Sequence, residues 1–397
     1  MTEVKNNIRL ADYFFRAGLS PHCDLAKIKC SKKVTLTDVE SSRRSLTKPG
    51  DPHPLENSYE PDTIFRYPKE DYDEHEKYPP FTPIFCFPND IGFIAQENGK
   101  PIDTFHSFIV TESSGRKLYG VCITTHVPPT KNQSAQLEDM ISKWRANNLV
   151  ESDYEFAQHV QQQLAFEKEK LLKINSGMED SGGESVALVE EKIGVLEELI
   201  KPMKKSILVD TDNVFVPTCL GILSRFPFYD LLKDWLSHLM GSIIEAEFER
   251  YPFERCVINL IHEIPLPPPG KLEIGISIHN HILYGSRPPI NTIPILKNYS
   301  SYPLFKAMSI ENIVTLFELL VTDYKVILLS EHVSMLNLTC EVVTGWLYPL
   351  FWHHILIPVL PFRLLNYLEA PVPYLIGIQK KAFPEWKQDG WRPTDVL

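Results

Sequence analysis

Lys325-Val-Ile-Leu-Leu-Ser330 is a continuous apolar run rich in branched residues, and two more follow it, His354-Ile-Leu-Ile-Pro-Val-Leu360 and Val372-Pro-Tyr-Leu-Ile-Gly-Ile378. Runs of this kind fit strands covered on both faces better than strands with one wet face. Around them the apolar spacing changes to three and four. Ser309-Ile310-Glu311 places a hydroxyl cap ahead of an acidic first turn, and Ile310, Ile313, Val314, Phe317 and Leu320 continue at helical spacing. Ser330 stands as the expected cap of a second helix, whose stripe Val333, Leu336, Cys340, Val343 and Leu347 runs until Pro349. A short helical piece is expected around Leu364 to Leu368. Strand, helix and strand this close together need crossovers, so the layout predicted is a parallel sheet with right-handed connections and helices on its faces.

Three ordered blocks within this region carry a resemblance. Val326-Ile-Leu-Leu-Ser-Glu-His-Val-Ser-Met335, Leu347-Tyr-Pro-Leu-Phe-Trp-His-His-Ile-Leu-Ile-Pro-Val-Leu-Pro361 and Leu368-Glu-Ala-Pro-Val-Pro-Tyr-Leu-Ile-Gly377 together resemble the central part of a DENN domain, a family of exchange factors for Rab GTPases. Upstream, Ala11-Asp-Tyr-Phe-Phe15, Phe105-His-Ser-Phe-Ile-Val110 and Leu118-Tyr-Gly-Val-Cys122 are similar to the module that precedes it. In the family that module has a longin-like fold, with helices on an antiparallel sheet. Cys219-Leu-Gly-Ile-Leu-Ser-Arg-Phe-Pro-Phe228 resembles its close, and the Pro-rich end of Phe253 to Gly270 resembles the passage between lobes. The fold class implied is α/β in two lobes, an N-terminal longin-like antiparallel sheet with helices and a C-terminal DENN lobe with a mostly parallel sheet. Residues 1–250 would form the first lobe, 251–303 the linker and first strand of the second, and 304–397 the central DENN lobe. A full DENN module continues further downstream in the family, so the second lobe is expected to be truncated.

Composition sets the outer limits. In 397 residues, 43% hydrophobic and 11% aromatic content supports two or three packed modules. A net charge of −11 argues against a nucleic-acid binder that relies on phosphate neutralisation. The 32 prolines cluster between periodic segments and suggest stiff connections. Seven cysteines, Cys23, Cys30, Cys86, Cys122, Cys219, Cys256 and Cys340, contain no CxxC pair and read as buried intracellular thiols. The N-terminus lacks the apolar core of a signal peptide, so a cytoplasmic location is expected, peripheral on endomembranes through a recruiting partner. Val342 to Phe362 holds no Asp, Glu, Lys or Arg, but its three prolines fit strands and turns better than a membrane span.

Residues 31–80 are polar, charged and proline-bearing, and are expected to form a long loop. Pro83 to Pro88, Ile91 to Ala95, Thr104 to Val110 and Lys117 to Thr125 read as four strands of a meander, the last two a hairpin turned at Gly115. Residues 131–205 read as a helical hairpin inserted in the first lobe and packed against it. Ala157, Val160, Leu164, Leu171 and Ile174 lie on one heptad frame, and Val189, Ile193, Leu196, Ile200 and Met203 on another. Asn213 to Leu223 is strand-like, Tyr229 to Phe248 helical, and Ile274 to Leu283 a further strand.

No Walker loop, GxGxxG, GxSxG or HExxH is present, so no cofactor and no covalent chemistry is expected. His279-Asn280-His281 puts two imidazoles on one strand face without a third ligand, and no metal site is expected. The resemblance implies a Rab-type small GTPase as partner, seated across a groove between the lobes. Nucleotide exchange binds the nucleotide-free GTPase more tightly, which weakens nucleotide binding by the same factor. Topology supplies candidate contacts, because ligands of open parallel sheets gather outside the carboxyl ends of the strands. Those positions are Ser330, Glu331 and His332 after the first strand, Arg363 after the second and Gln379 after the third. Ser330 and Glu331 equally suit a helix start. Relatives of the fold that act as GTPase-activating proteins imply an alternative, with Arg116 beside the hairpin turn as an arginine finger. A non-catalytic GTPase-binding scaffold is a third reading.

Overall fold

The computed structural model describes residues 9–25, 53–72, 76–96, 99–111, 116–148, 151–175, 186–206, 213–244, 252–270, 272–291, 293 and 300–380. The first lobe is built on a six-stranded sheet whose main path runs β2 (Asp62–Tyr67), β1 (Tyr13–Gly18), β6 (Val214–Ser224), β5 (Lys117–Val127) and β4 (Thr104–Thr111). β3 (Ile94–Ala95) adds a short pairing to β6. All these pairings are antiparallel. The central strands are apolar on both sides because both faces are covered. Phe15, Phe108 and Val110 face one core with Phe85 of helix α1 (Thr82–Cys86), while Phe14, Val121 and Ile222 face Trp235, Leu236 and Leu239 of helix α5 (Tyr229–Ile244). Gly221 stands directly under the Phe15 ring, where any Cβ would collide with it.

The second lobe is a three-stranded parallel sheet, ordered β10 (Ile355–Ile357), β11 (Tyr374–Gln379) and β9 (Val326–Ser330). Its central strand shows why the run is apolar without alternation. Leu375 packs with Leu316, Leu320, Cys340 and Val343 of helices α8 (Ile310–Val321) and α9 (Val333–Trp346). Tyr374, Ile376 and Ile378 point the other way, into the core that holds Phe108 and Val110. The parallel sheet is therefore sandwiched between its own helices and the first lobe, and helices cover one face, not both. Across the join, Asn337 of α9 donates to Ser107 Oγ of β4 at 2.6 Å, with both residues buried. Gly377 sits where an added Cβ would strike the Pro358 carbonyl, so β10 and β11 approach at a point only glycine permits.

Several expectations are corrected. Segment 31–80 is not loop throughout, because Asp62–Tyr67 forms the edge strand β2 beside β1. Its mixed composition suits an edge, where one side stays wet. The stretch Pro83 to Pro88 is a short helix followed by a turn, and the sheet is not a meander: β6, far along the chain, lies between β1 and β5. The turn residue Gly115 lies outside the described residues. Among its described residues, region 131–205 holds three helices, α2 (Lys131–Asn148), α3 (Glu151–Asn175) and α4 (Val186–Ser206). Leu137 and Ile141 of α2 pack into the core of the first lobe, whereas Val160, Leu164, Val189 and Ile193 of α3 and α4 form a separate cluster of their own. The heptad positions Ile174, Ile200 and Met203 lie outside the described side chains.

Ile274 to Leu283 is not one strand of the second lobe. It belongs to a hairpin of β7 (Glu273–Ile278) and β8 (His281–Ser286), turned at His279 with φ 47° and packed on α5 through Ile276 and Ile278. His281 stacks on His238, ring centroids 4.1 Å apart, so His279 and His281 do not share a ligand face. Ser309 does cap α8, accepting from the Asn312 amide at 3.3 Å. The buried positions of that helix are Ile313, Leu316 and Leu320, while Ile310 and Val314 face outward. Ser330 is not a helix cap. It accepts from the His332 amide at 3.1 Å, and α9 begins one residue later. Among the described residues, no helix is long and apolar enough to cross a membrane.

Candidate functional site at the seam between lobes

The carboxyl ends of the parallel strands meet the first lobe at Pro88-Asn89-Asp90, the turn that follows α1. Ser330 and Gln379 are register partners at the ends of β9 and β11. Gln379 donates to the Glu331 carbonyl at 3.2 Å and accepts from Asn89 Nδ2 at 2.5 Å. Lys380 reaches the Glu331 carboxylate at 3.3 Å, with side chains 67% and 66% exposed. Four of the sequence candidates thus form one polar rim, in which Glu331 and His332 are exposed and Ser330 and Gln379 are half-buried. Asn89 joins it from the first lobe.

Arg363 departs from its expected role as an exposed contact. It stands in the 3-10 segment Phe362–Glu369 and forks onto Asp90, Nε to Oδ1 at 2.8 Å and a second nitrogen to Oδ2 at 3.2 Å. Its remaining nitrogen reaches Glu60 at 3.1 Å. The Asp90 side chain is only 2% exposed, and its backbone has φ 58°. A short polar residue tolerates that conformation. Beside this pair, the Phe362 amide donates to the Pro88 carbonyl at 2.8 Å. Arg363 therefore fastens the lobes together next to the rim. The sequence missed Asn89 and Asp90, although Pro-Asn-Asp is a turn signal that could have marked them.

The lobes also face each other across a cleft of about 1190 Å³, lined by Lys117, Tyr119, Tyr229, Tyr284, Glu341 and Phe351 among others. Tyr229 donates to the Glu341 carboxyl at 2.8 Å. Burial pushes that carboxyl up to about 7, against the opposing pull of the Tyr229 hydroxyl and the Lys117 charge. Burial likewise pushes the Lys117 ammonium down, with Glu341 opposing. No sequence motif marks this cleft.

Arg116 lies elsewhere, in an ionic cluster at the end of the first sheet. Glu76 takes Arg9 at 2.9 Å, Arg225 at 2.6 Å and Arg116 at 3.9 Å, while Asp12 takes Arg9 at 3.2 Å and Arg225 at 3.0 Å. Burial would raise the Glu76 carboxyl, but the bond from Arg225 and the charges of Arg225, Arg9 and Arg116 hold it below its ordinary range. Arg116 is thus engaged inside its own lobe, away from the partners of the rim.

Two domain models match this chain, one in each half. The family model described as the uDENN domain matches residues 61–125, and the model described as the DENN (AEX-3) domain matches residues 215–393. The chain is 31% identical over 364 residues to Elicitor of plant defense protein 1 of Verticillium dahliae, covering 83% of this chain and 31% of that protein. It is 32% identical over 361 residues to a DENN domain-containing protein of Schizosaccharomyces pombe, covering 82% and 37%. A DENN domain and WD repeat-containing protein of Arabidopsis thaliana is 26% identical over 166 residues, or 42% of this chain and 14% of its own length. The chain spans about a third of the length of the first two. With a uDENN module forming the strands β2 to β5 of one lobe and a DENN module supplying β6 and the whole of the other, this chain belongs to the DENN domain family.

Proposed function

We propose that this chain promotes GDP release from a Rab-type small GTPase by holding the GTPase switch segments along the seam between its two lobes. The observation that carries the reading is the rim itself: Ser330, Glu331, His332 and Gln379 stand together at the carboxyl ends of the parallel strands, joined by Asn89 of the other lobe. Exchange requires a surface that prefers the nucleotide-free GTPase, and the preference weakens nucleotide binding by the same factor. A partly exposed, rigidly backed rim supplies such a surface without any reacting group. The outward apolar residues of α8, Ile310 and Val314, extend the exposed surface of the second lobe. Exposed apolar side chains of this kind suit a protein partner. The engagement of Arg116 by Glu76 favours exchange over an arginine-finger mechanism.

The test is release of a fluorescent GDP analogue from a panel of purified Rabs, run beside a GTP hydrolysis assay. Faster release from one or a few Rabs is expected, and Glu331→Lys should cut the acceleration about tenfold with an unchanged unfolding transition, as loss of one charged interface contact does. A folded chain that leaves release unchanged on every Rab would reject the reading. Faster hydrolysis that disappears in Arg116→Ala would put the activating-protein alternative in its place.

A further inference from the structure

In the core of the first lobe three thiols converge from three separate elements. Cys86 ends helix α1, Cys122 lies in β5 and Cys219 in β6, and their sulfur atoms all lie within 4.8 Å of one another. All three are buried and none is in a disulfide. His106 of β4 is the cross-strand partner of Cys122 and is buried beside it. We propose that Cys86, Cys122 and Cys219, closed by His106, form a structural zinc site.

A tetrahedral zinc with bonds to sulfur of about 2.3 Å needs its sulfurs about 3.8 Å apart, so side chains already within 4.8 Å need only small rotations. The imidazole stands beside the thiols with one nitrogen already occupied. Its Nε2 lies 3.1 Å from the Phe85 carbonyl, which accepts a proton from it and leaves the Nδ1 lone pair free. Cys122 Sγ lies 3.5 Å from Nδ1 and 3.2 Å from Nε2, against the ring, so His106 must turn its ring to aim Nδ1 at an ion held by the three sulfurs. A carbonyl that fixes the second nitrogen is the usual support of a metal-bound histidine.

The donor set selects the ion and the role. Three soft thiolates and one imidazole suit zinc, and a fully enclosed four-ligand set has no open position for substrate, so the site is structural. As the metal enters, the three thiols lose their protons to solvent and each sulfur forms one bond to the ion. The site ties α1 to strands β4, β5 and β6. Cys86 is the last residue of the helix that leads into Pro88-Asn89-Asp90, so the metal steadies the turn to which the second lobe is fastened. No sequence pattern could announce it, because the ligands come from four elements and contain no CxxC pair.

The experiment uses the full chain with any affinity tag removed, purified without chelator and dialysed against metal-free buffer. Elemental analysis should find about one zinc per chain, and zinc-edge X-ray absorption of the wild type should show three sulfurs near ~2.3 Å and one nitrogen near ~2.0 Å. Cys122→Ser and Cys219→Ser should each lower the zinc content about tenfold. The absorption measurement needs no variant, so a misfolded substitution cannot mask the answer. A folded wild-type chain that stays metal-free after incubation with zinc overturns the proposal, as does bound zinc with a shell of nitrogen and oxygen alone.

Discussion

The two lobes are joined differently at the two ends of their interface. At the rim end, Arg363 and Asp90 form a forked ion pair, reinforced by Glu60 and by the bond from the Phe362 amide to the Pro88 carbonyl. At the cleft end, one neutral-range carboxyl, Glu341, accepts from Tyr229 at the edge of a cavity of about 1190 Å³. Forked charged pairs give fixed geometry as well as energy. At the cleft end the bond from Tyr229 is neighboured by the buried one from Asn337 to Ser107, and neither is a charged fork. The lobes are thus pinned by charge where the candidate contact residues stand, and by neutral bonds and apolar packing beside the cleft. A surface that must hold another protein's switch segments gains from rigid backing, because rigid contacts lose less freedom on binding.

The largest effect should come from cutting the fixed end. Arg363→Ala leaves the enclosed Asp90 carboxylate without its forked partner and should cost about 3 to 4 kcal/mol in urea unfolding. Adding Asp90→Asn should recover part of that loss, since asparagine keeps the left-handed backbone without the charge. If the single substitution costs nothing, the two ends of the interface do not differ as described.

Next in size is a pH effect at the cleft. The folded value of Glu341, about 7, lies above the ordinary carboxylate range, so its contribution favours the protonated form. That stability is fully present below the unfolded value and is lost as pH rises through about 7. Allowing for water in the cleft, wild-type stability should fall by about 2 kcal/mol between pH 5 and 8 on this account. Glu341→Gln should flatten the profile in that window. An unchanged profile would show that the carboxyl is already hydrated and charged.

The smallest stability effect is expected at the rim. Lys380 and Glu331 are each about two-thirds exposed, and Lys380→Ala should change unfolding free energy by about 0.5 kcal/mol or less. A much larger loss would mean that the rim, like Arg363, serves to hold the lobes together and is not a free surface for a partner.

The parallel strands, the Ser309 cap, the hairpin of β4 and β5 and the family resemblance followed from local pattern, because periodicity, caps and turns depend on neighbours within a few residues. The carboxyl-end rule puts Ser330, Glu331, His332 and Gln379 at one end of the parallel sheet, where they stand together. Other readings failed for want of long-range information. Asp62–Tyr67 looks like loop because an edge strand carries polar residues, and only its pairing with β1 reveals it. Pro83 to Pro88 has the apolar content of a strand, yet packs as a helix over Phe108.

What the sequence determined by itself was therefore the identity and type of most elements, together with the membership of the family. The tertiary structure alone decided which distant residues met: Arg363 with Asp90, Tyr229 with Glu341, Asn337 with Ser107, and the three thiols with one another. These pairs are separated by tens to hundreds of positions, and a side chain's partner across such a gap is set by how sheets stack and strands cross. No local preference along the chain encodes that stacking.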